Sequence, residues 1–162
     1  MKNFKLIFTI FLLFTNTLSQ KLVESPYKSE DFPVKVTYKG KTSKPIITKE
    51  NRLFRTRISE GAKQKVDFAG KYILIRIGCG TSCEIYYFLD ATNGKVYSPN
   101  FSICCEFDYD RPERTQNIER VYYKVDSNLI IFAGNRNEEN LRAFHYYKFD
   151  NGKLKHLKSV KY

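Results

Sequence analysis

The chain contains very few residues of the types that most often carry catalysis. Of its 162 residues two are histidine, one is methionine and none is tryptophan. Both histidines, His145 and His156, fall in late segments predicted to be strands, and a cysteine nucleophile needs a histidine beside it. No Gly-x-Ser-x-Gly elbow, the usual setting of a serine nucleophile, occurs in the sequence. The sequence therefore carries no catalytic signature, and we expect no cofactor.

Long hydrophobic runs are also missing. The apolar run at residues 6–14 spans nine positions, follows Lys2 and Lys5, and precedes small residues at 17–19. This three-part form is typical of a secretory signal peptide, and the run is too short for a transmembrane helix, which needs about 20 apolar residues. We therefore predict a signal peptide over residues 1–19 and a mature protein that is periplasmic or secreted, with no transmembrane segment.

The charge balance is strongly basic. Lysine and arginine number 28 against 17 acidic residues, a formal net charge of +11. Such a balance favours anionic partners, although a solvated lysine-rich surface is the alternative interpretation. The lysines are scattered along the chain, and Arg52, Arg55 and Arg57 make the densest arginine cluster. Because no aromatic-plus-basic RNA signature accompanies them, we expect no nucleic-acid partner.

One helix and a series of strands are predicted. Phe54, Ile58 and Ala62 recur at steps of four and give a helix over residues 49–62 an apolar stripe, with Thr48 as its cap. From residue 68 onward the chain alternates short apolar or aromatic runs with turn residues, including Asn-Gly at 93–94 and 151–152. These patterns predict an α+β fold: a mostly antiparallel β sheet, built as a meander of hairpins, with the helix packed on it. Residues 20–33 are expected to form a mobile arm and residues 34–162 a single β-rich domain.

Four cysteines predict a disulfide framework in an exported protein. Cys79 and Cys83 lie in a glycine-rich turn, and Cys104 and Cys105 are adjacent in the long loop 99–119. Three connectivities are possible, and the one with a local Cys79–Cys83 bridge leaves a strained adjacent pair. Strain thus favours cross-linking the turn to the loop, which would stabilise the fold by roughly 3 kcal/mol. Adjacent thiolates fit a tetrahedral zinc site poorly, so zinc is disfavoured.

The long loop also carries alternating carboxylates. Glu106, Asp108 and Asp110 share one side of an extended chain and are weak candidates for calcium ligands. A calcium loop needs a glycine at its bend, which this segment lacks, and Arg111 follows directly. A solvated acidic turn is therefore the favoured interpretation, with no metal bound.

Several short motifs resemble a family of small exported bacterial proteins of unassigned function. They are Phe-Ala-Gly-Lys-Tyr at 68–72, Gly-Cys-Gly-Thr-Ser-Cys at 78–83, Asp90, and Gly-Lys-Val-Tyr at 94–97. The resemblance covers about residues 50–150. The family often lacks the second cysteine pair, which implies a local Cys79–Cys83 bridge, and often has histidine at the position of Lys71. It implies no activity, substrate or cofactor.

These observations favour a disulfide-stapled, non-enzymatic binding protein of the bacterial cell envelope. Its partner would be another protein or an anionic envelope polymer. The candidate binding residues come from the glycine-cysteine turn, its flanking strand and the helix: Lys71, Tyr72, Gly78, Gly80, Thr81, Ser82, Arg55 and Arg57. The alternative is a small secreted hydrolase with paired carboxylates drawn from Glu84, Asp108 and Asp110, for which one of the two would have to be desolvated.

Overall fold

The computed structural model describes residues 25–80, 82–110, 112–137 and 139–162. The predicted signal peptide, residues 20–24 of the arm and Thr81 lie outside these ranges. Among the described residues, no helix has the length and apolar character that crossing a bilayer would need.

Eight antiparallel strands form a single sheet, which confirms the predicted fold class. The strands are β1 (Tyr72–Gly80), β2 (Cys83–Asp90), β3 (Val96–Tyr97), β4 (Ile103–Cys104), β5 (Val121–Tyr123), β6 (Leu129–Arg136), β7 (Ala143–Asp150) and β8 (Lys153–Lys161). The main path is β1-β2-β4-β6-β7-β8, with β3 on β2 and β5 on β6. The order departs from a simple meander, because β4 lies between β2 and β6 while β3 and β5 lie off the path.

The sheet folds over so that its two halves face each other. The two-residue strand β4 pairs with β2 on one side and with β6 on the other, and so links the halves. Phe88 of β2 meets Phe149 of β7 with ring centroids 4.7 Å apart, and Tyr86 meets Phe132 of β6 at 4.8 Å. The aromatic residues between the halves are buried and form the main core.

The helix covers the second face of the β1–β2 hairpin. A 3-10 turn, Arg52–Phe54, leads into α1 (Arg55–Gly61), so helical structure starts three residues later than predicted. Asn51 Oδ1 accepts the Thr48 backbone N–H at 2.8 Å, and this turn replaces the predicted cap. Ile58 is buried against isoleucines of β1. A Cβ at Gly61 would lie 2.6 Å from Ile75 Cγ1, so glycine lets the helix approach the sheet closely.

The described part of the predicted arm, residues 25–33, packs on the outer face of the β5–β7 half. The ring of Tyr27 lies 5.8 Å from that of Tyr146. The Phe32 carbonyl accepts the Asn128 N–H at 2.8 Å, and the Ser29 carbonyl accepts the Ser127 hydroxyl at 2.9 Å. These contacts hold the segment against the β5–β6 turn.

Candidate functional site

The glycine-cysteine turn is closed on itself by a disulfide. Cys79 and Cys83 are bridged with their Cα atoms 5.2 Å apart, within the range that a disulfide needs. The β1–β2 register shifts between Gly78 and Gly80, and this bulge brings the two cysteines together. The cross-linked arrangement favoured by the strain argument is therefore wrong. A disulfide that closes a loop of about five residues stabilises the fold by only about 2 kcal/mol in the chain-entropy model.

The second cysteine pair lies beside the first. Cys104 of β4 is the direct ladder partner of Cys83, and the Cys105 N–H donates to the Ser82 carbonyl at 3.3 Å. The Cys105 Sγ atom lies 2.7 Å from Cys104 Sγ. All four cysteines are thus gathered at one end of the β1–β2 hairpin.

The predicted binding residues do not converge on one site. Lys71 and Tyr72 lie at the opposite end of β1 from Gly78, roughly 23 Å away at about 3.3 Å per strand residue. Tyr72 is only 3% exposed, and its ring lies 5.2 Å from the Lys71 ammonium. Lys71 Nζ binds Asp90 Oδ2 at 2.8 Å. Burial raises the pKa of Asp90, but hydrogen bonds from Lys71 and Thr92 outweigh it and hold that pKa below its usual value. These contacts stabilise the turn at residues 90–94, so this end of the hairpin has a structural role.

The acidic run of the long loop is tied down by arginines. Glu106 accepts Arg120 Nε at 2.9 Å, and Arg142 contacts Asp108 Oδ2 at 2.7 Å. The Asp108 side chain is only 6% exposed. The solvated acidic turn is therefore wrong for these two residues and fits only Asp110, which is exposed. Within the described ranges, no three histidine, cysteine, aspartate or glutamate side chains are grouped closely enough to hold a metal ion.

Glu84, another carboxylate of the hydrolase alternative, also binds arginines. It binds Arg76 at 3.0 Å and Arg120 at 3.2 Å, and accepts the Tyr86 hydroxyl at 2.9 Å. Burial raises the pKa of Glu84, but these donors and charges outweigh it and the pKa is lowered. A general acid needs a raised pKa, so this arrangement suits an ion-pair network and not proton transfer to a substrate.

Sequence reasoning gave no role to His145, which is buried in β7. Its Nε2 atom lies 3.0 Å from the Gly134 carbonyl, which can only accept, so Nε2 carries the proton. Its Nδ1 atom then accepts the Ser159 hydroxyl at 2.8 Å, and His156 Nε2 lies 2.9 Å from the same oxygen. Burial lowers the pKa of His145. Both ring nitrogens are satisfied within the fold, which makes His145 a structural residue.

The largest concentration of charge covers the helix side of the molecule. We call residues 35–65 the basic cover, because this segment carries ten lysines and arginines and two glutamates, a net charge of +8. All ten cationic residues are exposed, Arg55 and Arg57 among them. Exposed apolar side chains lie in the same segment: Val36, Ile46, Ile47 and Leu53. The interpretation of the lysines as evenly scattered missed this segment, which a count of charge along the chain would have found.

A cleft of about 530 Å³ opens at the far side of the main core. Phe88, Phe101 and Tyr147 line it, and the Phe101 and Tyr147 rings stack at 5.4 Å and 23°. Arg136, which donates to the Tyr147 hydroxyl at 3.1 Å, and the exposed Lys153 also line it, as does Glu139, which pairs with Arg136 at 3.4 Å. The cleft thus combines aromatic rings with charges of both signs.

Comparison with known proteins identifies no relative. No protein-family model, no curated protein and no solved structure matches the chain. The resemblance to small exported bacterial proteins therefore stays a prediction.

The described surface offers cations to a partner more readily than it offers catalytic groups. The candidate carboxylates Glu84, Glu106 and Asp108 each bind an arginine, whereas the cations of the basic cover face solvent. Clustered cations produce a summed positive field that acts over several ångströms.

Proposed function

We propose that this chain is a non-catalytic binding protein, exported to the bacterial cell envelope, whose basic cover binds an anionic envelope polymer. The observation that carries the proposal is the concentration of charge: the 31 residues of the cover hold a net +8 of the chain's +11. A polymer with repeated negative charges can meet several of these cations at once, so weak individual contacts add along its length.

The cover is held on a fixed scaffold. Backbone hydrogen bonds join Tyr38 to Gly70, Ser43 to Ala91 and Ile46 to Gly94 at 2.6–2.8 Å. The helix that follows is anchored by Ile58, which is fully buried. Cations on a preformed surface lose less conformational freedom on binding than cations on a mobile tail, which favours affinity.

The cations of the cover are available to a partner. In the described part of the chain, Lys63 is the one cation of the cover that makes an ion pair, with Glu60 at 2.9 Å. The others project from the surface with no carboxylate within ion-pair distance among the described residues. A polyanion therefore displaces water and counterions from these groups without first breaking an internal ion pair.

The test compares polymer binding by two charge-reversal variants. Arg55→Glu with Arg57→Glu alters the cover, and Lys155→Glu with Lys158→Glu alters exposed positions on β8 with the same change in net charge. The probe is an oligogalacturonate, a uronic-acid chain, measured by calorimetry at 0.15 M salt. Because each cation near an anionic surface contributes about 1 kcal/mol, we expect the cover variant to bind tenfold or more weakly. The β8 variant should change affinity by less than about threefold.

Two outcomes would contradict the proposal. Equal losses in the two variants would show that binding follows net charge alone, and absence of binding by the unaltered protein would remove the activity itself. Negatively charged glutamates in the first turn of α1 are compatible with the helix dipole, so the variant should stay folded, which circular dichroism checks. Export is tested separately: the form recovered from the periplasm should begin near Gln20, and an intact Met1 would contradict it.

A further inference from the structure

We infer that Cys104 and Cys105 form a redox-active pair, which closes to a disulfide between adjacent residues by exchange with a small-molecule disulfide. This site lies on β4 and its following loop, apart from the basic cover, and the inference does not depend on the polymer-binding proposal. Its starting point is the contact between the two sulfur atoms, 2.7 Å, in a chain whose other two cysteines are already bridged.

The two cysteines differ in exposure, which assigns an order to the exchange. Cys105 is half-buried and Cys104 is buried. A dissolved disulfide therefore reaches the Cys105 sulfur first, and the buried Cys104 sulfur, 2.7 Å away, is placed to resolve the mixed disulfide. Exchange rates depend on access to the attacking thiol, and reactive cysteines often lie next to a resolving cysteine.

The backbone around Cys105 is fixed on both sides. Its N–H donates to the Ser82 carbonyl, and its carbonyl accepts Arg142 Nε at 3.1 Å. The same Arg142 binds Asp108, which anchors the middle of the long loop. These hydrogen bonds hold the backbone at Cys105, so the two sulfurs stay close. In the second exchange step, the resolving thiol therefore has a high effective concentration.

The exchange balances in two steps. The Cys105 thiolate attacks one sulfur of glutathione disulfide, so a mixed disulfide forms and one glutathione thiolate leaves and takes up a proton. The Cys104 thiolate then attacks the Cys105 sulfur and expels the second glutathione as a thiol. Two electrons pass from the cysteine pair to glutathione disulfide, and the two thiol protons end on two glutathione molecules.

A competing exchange within the protein is defined by the sheet. Cys104 is the ladder partner of Cys83, so the resolving thiolate could instead open the Cys79–Cys83 bridge. Trypsin separates these alternatives, because Cys79 and Cys83 lie on the peptide 77–95 while Cys104 and Cys105 lie together on the peptide 96–114. A linkage between the two peptides would report the competing exchange.

The experiment treats the full chain, with the first bridge intact, with glutathione disulfide, traps thiols with an alkylating reagent, and maps the products by mass. We expect the peptide 96–114 to lose two hydrogen atoms, carry no glutathione and resist alkylation. The Cys104→Ser variant, which lacks the resolving sulfur, should keep glutathione on Cys105. The adduct should disappear at least about tenfold faster from the unaltered protein than from this variant, because resolution is intramolecular.

Three results would overturn the inference: a glutathione adduct that persists on the unaltered protein, a linkage between the peptides 77–95 and 96–114, or two cysteines that are still alkylated after oxidation. The Cys105→Ser variant is the matched control. It should acquire glutathione on Cys104 far more slowly than Cys104→Ser does on Cys105, because its remaining sulfur is buried. If both single variants react at the same rate, the proposed order of attack is wrong.

Discussion

Gly134 and Gly80 have nearly the same φ angle in different surroundings. Their φ angles are +133° and +139°, a region that side chains rarely adopt. A Cβ at Gly134 would clash with the Cys104 carbonyl oxygen, whereas no atom of the described residues lies within 4 Å of one at Gly80. We expect Gly134→Ala to lower the free energy of unfolding by 3 kcal/mol or more, because a backbone atom of β4 must move as well.

Gly80→Ala separates the steric effect from the conformational one. It retains the unfavourable φ without the clash, so it should lower the free energy of unfolding by about 1–2 kcal/mol. Urea unfolding followed by circular dichroism measures both variants. Equal losses would show that φ alone determines the effect, and that β4 can shift away from β6 at little cost.

Individual turn residues were predictable, whereas close approaches between distant strands were not. Asn-Gly at 151–152 was predicted to turn the chain, and both residues have positive φ between β7 and β8. The need for glycine at position 134 depends on β4, about thirty residues away in sequence. Sequence reasoning placed Cys79 and Cys83 in a turn and Cys104 in a loop, whereas they lie at the ends of β1 and β2 and in β4. It disfavoured the Cys79–Cys83 bridge because that connectivity leaves a strained adjacent pair, and the bulge that brings Cys79 to Cys83 has no sequence signal.

At the scale of elements, the helix is attached through one buried side chain. Ile58 is fully buried, whereas Leu53 in the preceding 3-10 turn is 82% exposed. We expect Ile58→Ala to lower the free energy of unfolding by about 2–4 kcal/mol, because it leaves a cavity against β1. Leu53→Ala should change it by less than about 0.5 kcal/mol. Urea titration of the two variants tests this, and similar effects would mean that the helix is not anchored at Ile58.

Arg120 joins the long loop to the sheet. It binds Glu84 of β2 and Glu106 of the loop, and its side chain is 14% exposed. Arg120→Met should lower the free energy of unfolding by roughly 3 kcal/mol, since both carboxylates lose a partner in a partly buried site. Thermal and urea unfolding measure the loss.

Arg76→Met is the matched control for Arg120. Arg76 binds the same Glu84 but is 41% exposed, so solvent screens the pair and the loss should stay below about 1 kcal/mol. If the two variants lose equal stability, Glu106 gains nothing from Arg120, and the loop is held by Arg142 and Tyr162 instead.

The helix and the hairpins could be predicted from the sequence because their signals are local. The strand pairing that links the two halves of the sheet could not. An apolar stripe predicted the helix over 49–62, and the helical residues are 52–61. By contrast, β4 is two residues long and gives no periodic pattern, yet it links the two halves of the sheet. The arginines that bind the acidic run come from positions 120 and 142, so their pairing depends on the folded topology.

At the scale of the whole molecule, the fold encloses one ionisable imidazole, that of His145, between β6, β7 and β8. Burial lowers its pKa; the hydrogen bond to Gly134 opposes this shift, and the nearby charges of Arg136 and His156 reinforce it. An unfolded chain binds a proton at this residue near pH 6.5, whereas the folded protein does so only at lower pH. The unfolded state therefore holds more protons in this window, and stability falls as pH drops below about 6.5.

The free energy of unfolding should fall between pH 7 and pH 5.5 with a slope that does not exceed about 1.4 kcal/mol per pH unit, the limit for one group. His145→Gln supplies a donor for Gly134 and an acceptor for Ser159 without a charge, so its unfolding free energy should be nearly flat over this range. His156→Gln should keep most of the slope of the unaltered protein, because it removes a lesser cause of the lowered His145 pKa and leaves burial, the largest one, in place. Urea unfolding at several pH values measures all three proteins. A slope that survives in His145→Gln and disappears in His156→Gln would assign the titration to the exposed ring and refute the prediction.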